Sequence, residues 1–328
     1  MSNFKDYTIG WISPDALALV AATLFFDEEF ETPRLPVLNG EHTYKCGRIG
    51  RHNVVVAVVP FGCEGPGYTA DVAVDMKYSF PNIRAVLLVG TASGAPANHD
   101  IRLGDVVVGT TSGNGKGAVV KYNYYMTAQN LITEPPEFMV EEMDTLMATN
   151  GRKDLKLSEA IANAISQNSR LQTNWRRPDA STDRLYRSDV IHTGKNNESC
   201  EVSCGDDESK LVPRPTRSAN QDEPVIHHGR IATHALPMGD ALRRDDISTK
   251  EDVLCFETGA AEVIRNSPSC LIIRGICDYG DTHKNSLWKR YASIAAAAYA
   301  RDHLRAMGSE EKLSEAASIQ EYSNLMAW

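Results

Sequence analysis

The sequence predicts an α/β fold: a single domain with a central, mixed and mainly parallel sheet flanked by helices, interrupted by a polar insertion. Three observations predict it. Short apolar runs alternate with segments of helical period. The central runs are apolar throughout, as strands covered on both faces must be. The strand pattern also resumes after a long polar stretch, which makes that stretch an insertion rather than a linker. The chain has 328 residues, 42% of them hydrophobic, enough for one large core or two small ones.

The elements follow in order. YTIGWI (7–12) reads as the first strand. PDALALVAATLFF (14–26) reads as an amphipathic helix. Pro14 starts it, where a missing N–H costs nothing, and Asp15 falls in the first turn. HTYKCGRIGRHNVVVAVVP (42–60) reads as a hairpin turning near GRHN. YTADVAVDMKYSF (68–80) has the 3.6-residue period of a helix. AVLLVGTASG (85–94) is a continuously apolar strand running into a small-residue loop, and GDVVVGT (104–110) is another strand. From about 130 to 225 the chain is polar. PEFMVEEMDTLMATN (136–150) and SEAIANAISQNS (158–169) are expected as helices there, the rest as surface loops. HHGRIATHALPM (227–238) resumes the strand pattern, CLIIRGIC (270–277) is an apolar strand, and SIAAAAYARDHLRAM (293–307) is a last helix with an Ala-rich face. The expected domain covers 1–308, with 309–328 as a C-terminal tail.

Composition excludes several classes. A net charge of −9 leaves no basic footprint for nucleic acid. No run of about 18 uncharged apolar residues is present, so no membrane span is expected. The start lacks a basic segment followed by an apolar core, which predicts no signal peptide. Of seven cysteines, Cys63, Cys255, Cys270 and Cys277 lie in or beside apolar runs and read as small core residues. A reducing, cytoplasmic setting is expected.

In sheets of this kind ligands sit beyond the carboxyl ends of the strands. The loops GTASG, THALPM and RGICDYGD are expected there. An apolar strand delivers Asp278, which can protonate a leaving group if burial raises its pKa, or can simply cap a turn. LCFETGAAEV (254–263) is built around Glu257 but carries Gly259 where a second carboxylate would be useful. His192, Cys200 and Cys204 have a spacing that could hold zinc, but only three ligands can be named, His227 or His228 being a guess for the fourth. Loop cysteines and no metal are therefore expected. FGCEGPG (61–67) lacks the Lys of a phosphate loop and reads as a tight turn. Arg48, Arg84 and Arg274 could bind phosphate. His227 and His228 are expected at a strand end on the surface.

The segments IGWI, GPG (65–67), FPNIRAVLLVG (80–90), HDIRLGDVVVG (99–109), CFE..AA (255–261) and IRGICDYGDTHKN (273–285) occur in this order over nearly the whole chain. In this the sequence resembles the nucleoside phosphorylase superfamily, and within it the fungal branch similar to methylthioadenosine/S-adenosylhomocysteine nucleosidase. The resemblance implies cleavage of an N-glycosidic bond by phosphate or water, a homo-oligomer, and no cofactor beyond phosphate. It implies that Asp278 protonates the leaving base, that Thr91 lies on the ribose-side loop, and that Glu257 is the first Glu of a Glu-Met-Glu pattern. Thr258 replaces the Met and Gly259 the ribose-binding Glu. Ala18 stands where related sequences carry a first-helix Glu that positions water.

Two charged groups are thus missing, and each is worth several kcal/mol to glycoside cleavage. The remaining lining of Ala18, Thr91, Ala92, Ser93, Leu236, Pro237, Met238, Thr258 and Gly259 is small and neutral. The expectation is a repurposed enzyme acting on a mostly apolar small molecule, by cyclisation, isomerisation or a pericyclic, Diels–Alder-like step that gains from orientation. Asp278, Thr91 or Arg274 would polarise a carbonyl or anchor a carboxylate. Two alternatives stand beside it: a genuine nucleoside phosphorylase or nucleosidase in which Glu257 or Glu262 replaces the missing Glu, and a catalytically inactive ligand-sensing module.

Overall fold

The computed structural model describes residues 3–35, 42–62, 65–111, 117–123, 128–131, 139, 156–194, 200–205, 207–217, 223–267, 269–284 and 286–307. The expected helix at 136–150, apart from Met139, lies outside them, as do Cys63 and the 309–328 tail.

The strands are β1 (Ile9–Ser13), β2 (Glu28–Phe30), β3 (Tyr44–Ile49), β4 (His52–Val58), β5 (Ala85–Gly94), β6 (Val106–Gly109), β7 (Val119–Tyr122), β8 (Ala128–Leu131), β9 (Ile226–Thr233), β10 (Val253–Glu257) and β11 (Cys270–Asp278). The helices are α1 (Ala16–Thr23), α2 (Pro66–Ser79), α3 (Leu157–Ser166), the single turn α4 (Cys200–Ser203), α5 (Ala241–Glu251), α6 (Ala260–Asn266) and α7 (Lys289–Ala306).

All the strands join one sheet in the order β2-β3-β4-β1-β5-β11-β6-β9-β7-β8, with β10 pairing both β5 and β9. Its centre, β4-β1-β5-β11, is wholly parallel. The antiparallel pairings lie mostly toward the edges, β2-β3-β4 at one side and β7-β8 at the other. A parallel centre must be covered on both faces, and it is. Helices α1 and α7 pack on each other and over β5, while α2 and α6 pack on each other and against β1 and β11. Every residue of β1 is buried, as is β5 apart from Thr91. Helix α7 lies so close to β11 that a Cβ on Gly275 would fall 1.9 Å from the Ala292 carbonyl oxygen.

Helix α1 begins where Asp15 accepts the Ala18 N–H at 2.9 Å, the side-chain cap that orphaned first-turn N–H groups require. Four strands escape the sequence reading, β2, β7, β8 and β10, and so does α5, whose run ALRRDDISTKE is too polar to show an apolar stripe. No described helix is long and apolar enough to cross a membrane.

The insertion does more than cover the surface. Helix α3 packs on α7. The Tyr279 hydroxyl donates to Asp183 at 2.5 Å and accepts from Arg214 at 2.6 Å, which fastens the inserted chain to the residue following Asp278. Trp288 Nε1 donates to Thr182 Oγ1 at 3.0 Å, a second fastening at the start of α7.

Candidate functional site

The parallel centre points the carboxyl ends of β1, β4, β5 and β11 to one edge. A cavity of about 1100 Å³ opens there, reached by Pro14, Val59, Thr91, Ala92, Ser93, Cys277 and Asp278 at or just beyond those ends. Phe256, Glu257 and Thr258 from β10 and its loop form another wall, and Pro237 and Met238 a third.

Glu257 and Arg274 form a buried ion pair at 2.5 Å, their side chains 1% and 2% exposed. Glu257 also receives the Ala260 N–H, at 3.0 and 3.2 Å to its two oxygens, and so caps α6. Its charge is matched from both sides. Asp278 is half-buried; one oxygen accepts the Gly280 N–H at 2.8 Å, and the Cys277 thiol lies 3.6 Å from the other. Desolvation and the Asp278 charge raise the Cys277 pKa, so the thiol stays protonated at neutral pH and is no nucleophile.

The mouth is basic. Arg176 and Arg177 come from the insertion, Lys284 from the loop after β11, and Lys289 and Arg290 from the start of α7. Together with Arg274 the lining carries six cations against three carboxylates, Asp15, Glu257 and Asp278. Two of the cations are cancelled in place, Arg274 by Glu257 and Lys289 by Asp15 at 2.9 Å. That leaves Arg176, Lys284 and Arg290, which among the described residues have no carboxylate within ion-pair distance, lining the cavity with Arg177 and Asp278. The Arg177 guanidinium lies over the Trp288 ring at 5.4 Å. In a chain of net charge −9, such a cluster is a local construction and not a reflection of composition.

No family model matches the sequence. The chain is 29% identical over 303 residues to a nucleotide-binding leucine-rich repeat (NLR)-like protein of Hyaloscypha variabilis, covering 90% of this chain. The chain spans 29% of the length of that curated relative. Among solved structures, it superposes on Helicobacter pylori 5'-methylthioadenosine/S-adenosylhomocysteine nucleosidase with a TM-score of 0.55 at 12% identity, over 91% of this chain and 98% of that one. Futalosine hydrolase of Helicobacter pylori gives 0.53 at 14% identity, over 93% and 98%. The S. pneumoniae nucleosidase solved with a transition-state inhibitor gives 0.53 at 17%, over 92% and 100%. The chain has the nucleoside phosphorylase and nucleosidase fold.

Within that fold the expected site residues divide. Thr91, Ala92, Ser93, Pro237, Met238, Glu257, Thr258, Arg274 and Asp278 reach the cavity. Ala18 does not; it is buried in α1, while Asp15, which caps that helix, reaches the wall. Leu236 turns outward and is 68% exposed. Gly259 is buried behind the wall at φ 120°, where it starts α6. Glu262 is no substitute carboxylate, because Lys121 at 2.8 Å and Arg265 at 3.1 Å hold it outside the cavity. Arg48 pairs with Glu28 on an edge strand, and Arg84 sits at the opposite end of β5, so neither lines the cavity.

The expected neutral lining is therefore corrected. The cations that overturn it come from NWRRPD (174–179), inside the polar insertion, and from Lys284–Arg290. The Arg-Arg pair was the one visible signal for them. The histidines are corrected too. His227 lies half-buried in β9, 2.9 Å from Asp105, and His228 is 3.3 Å from the Tyr299 hydroxyl. His192, Cys200 and Cys204 gather beside a second cavity of about 290 Å³ that shares Asp278 with the first.

Proposed function

We propose that the chain binds a phosphorylated nucleoside in the main cavity, with the base beside Asp278 and the phosphate among the mouth cations. One observation carries the reading. Arg176, Lys284 and Arg290 line a nucleosidase-fold cavity and, among the described residues, have no carboxylate within ion-pair distance. Cations left without an internal partner at a concave site favour an anionic ligand. The same cluster argues against the mostly apolar metabolite and the cyclisation or Diels–Alder-like chemistry expected from a neutral lining.

In this reading the glycosidase machinery is reduced. Cleavage of the N-glycosidic bond needs a proton delivered to the leaving base, a role this reading gives to Asp278. It also needs negative charge beside the sugar as the C1′–N bond breaks and its electron pair leaves with the base. Glu257 is neutralised by Arg274 and the Ala260 N–H, Gly259 has no side chain, and Ala18 is outside the cavity. Each missing group of this kind costs on the order of 10²–10³ in rate. Binding therefore outlasts catalysis, and a ligand-sensing role follows.

The test is calorimetric titration with adenosine, AMP and ATP at low and high salt, alongside chromatography for free base. The expected result is AMP and ATP bound at least about tenfold tighter than adenosine, with the preference lost as salt screens the cations. Base release should be absent or orders of magnitude below ordinary turnover, roughly 10 s⁻¹. Equal affinity for adenosine and AMP would overturn the anion reading. Turnover at ordinary rates would overturn the sensing role.

A further inference from the structure

Away from the main cavity the insertion gathers a group of metal-binding type. His192 Nδ1 lies 3.3 Å from Cys204 Sγ and 3.7 Å from Cys200 Sγ. All three candidate ligand atoms fall within 4.8 Å of one another. The local fold explains the sulfurs: the Cys204 N–H donates to the Cys200 carbonyl at 2.9 Å, and residues four apart on a helical turn share a face. Zinc bound tetrahedrally at about 2.3 Å to sulfur and about 2.0–2.1 Å to nitrogen sets ligand S···N separations of roughly 3.6 Å. The two observed distances bracket that value.

A fourth group stands beside them. His283 is 7% exposed, and neither of its ring nitrogens has a hydrogen-bond partner. Buried imidazoles are rarely left so in native structures. Its ring is stacked on Tyr186 with centroids 3.8 Å apart and lies edge-on to His192, centroids 5.7 Å apart. Two imidazoles on one tetrahedral zinc ion place their centroids roughly 5 Å apart. Asp281 Oδ2 lies 3.6 Å from His283 Nδ1. That is the side from which a carboxylate orients a metal-binding histidine, leaving Nε2 for the metal.

We propose that His192, Cys200 and Cys204 hold a zinc-class divalent ion, and that His283, which stands outside the 4.8 Å group, closes onto it as the fourth ligand when the metal binds. Thiolate and imidazole ligands together select this class over magnesium or calcium. The ion would join the insertion to the loop that follows Asp278. That join is already outlined by the His192 N–H, which donates to Thr282 Oγ1 at 2.8 Å. A disulfide between Cys200 and Cys204 would leave both histidines unexplained.

The test uses the full chain without a polyhistidine tag, stripped with chelator, loaded with zinc and dialysed, with metal measured by mass spectrometry. The expected content is one ion per chain. Cobalt in its place should give the visible bands of tetrahedral geometry together with thiolate-to-metal charge transfer. Cys200→Ser and Cys204→Ser should each abolish stoichiometric binding, and His283→Gln should weaken it by at least about tenfold. If the cysteine variants fail to fold, the wild-type cobalt spectrum decides. Less than about a tenth of an ion per loaded chain, or a Cys200–Cys204 disulfide found by peptide mapping, would overturn the site. An unchanged affinity in His283→Gln would overturn the four-ligand form.

Discussion

Arg274 Nη2 meets Glu257 Oε2 at 2.5 Å, and the pair is closed off from water at the inner wall of the cavity. A carboxylate that looks in sequence like a substrate-gripping group is tied here to the protein itself. Glu257→Gln would leave a buried guanidinium without its counter-charge, and breaking such a pair costs about 3–5 kcal/mol. Urea unfolding should show that loss, and Glu257→Gln with Arg274→Met should recover most of it. Full stability of the single variant would mean that Glu257 is held for the ligand instead.

Gly259 adopts φ 120°, and a Cβ there would lie 3.2 Å from Thr69 Oγ1. Gly259→Ala should cost on the order of 1–3 kcal/mol from backbone strain, seen as a lowered thermal midpoint. Gly259→Glu should be destabilised similarly and gain no base release. A Gly259→Glu protein that is stable and cleaves nucleosides would show that the glycine alone silences the site.

The mouth cations should act on phosphate and not on base. Replacing Arg176, Lys284 and Arg290 together by Ala should weaken AMP binding by about 1.5–3 kcal/mol for each charge-assisted hydrogen bond lost. Adenosine affinity should stay within about twofold, as these side chains lie where only the anion reaches. A parallel loss for both ligands would place the base, not the phosphate, at the mouth.

Asp278 is half-buried and accepts one backbone hydrogen bond, from Gly280. Asp278→Asn keeps an acceptor there, so unfolding free energy should change by about 1 kcal/mol or less. Any residual base release should vanish while AMP binding persists. Cleavage that survives the substitution would remove Asp278 as the proton donor.

His303 lies on the buried face of α7, with neither ring nitrogen hydrogen-bonded. Burial, with His228 and His52 nearby, pushes its pKa down to about 4 from 6.5. The unfolded chain therefore binds a proton that the folded chain refuses between those values, and stability rises with pH across that window. The contribution is complete above about pH 6.5 and lost as pH falls through about 4, a span worth roughly 3 kcal/mol. His303→Leu should flatten this part of the stability profile in urea titrations at several pH values.

The centre of the fold was legible because β1, β4, β5, β6 and β11 are short apolar runs bounded by turn residues, and α2 and α7 carry helical periods. The edges were not. Strand β7 is only VVKY beside polar sequence, and its strand character comes from pairing with β9. The half of the site built from strand ends, Thr91 and Asp278 among it, was legible for the same reason as the strands. Arg176 and Arg290 lie more than a hundred residues apart in the chain and meet at one mouth, a proximity with no signature along the sequence.

The amino-acid sequence by itself determined the covered parallel centre, the edge of the sheet where a ligand can sit, and the loss of side chains at Gly259 and Ala18. The first two follow from residue type and local period, and the third is what the family resemblance implies. Only the tertiary structure decided the charge of the cavity. Electrostatics depends on distance through space: folding spends Glu257 on Arg274 and Asp15 on Lys289, and gathers Arg176, Lys284 and Arg290 with no carboxylate within ion-pair distance among the described residues.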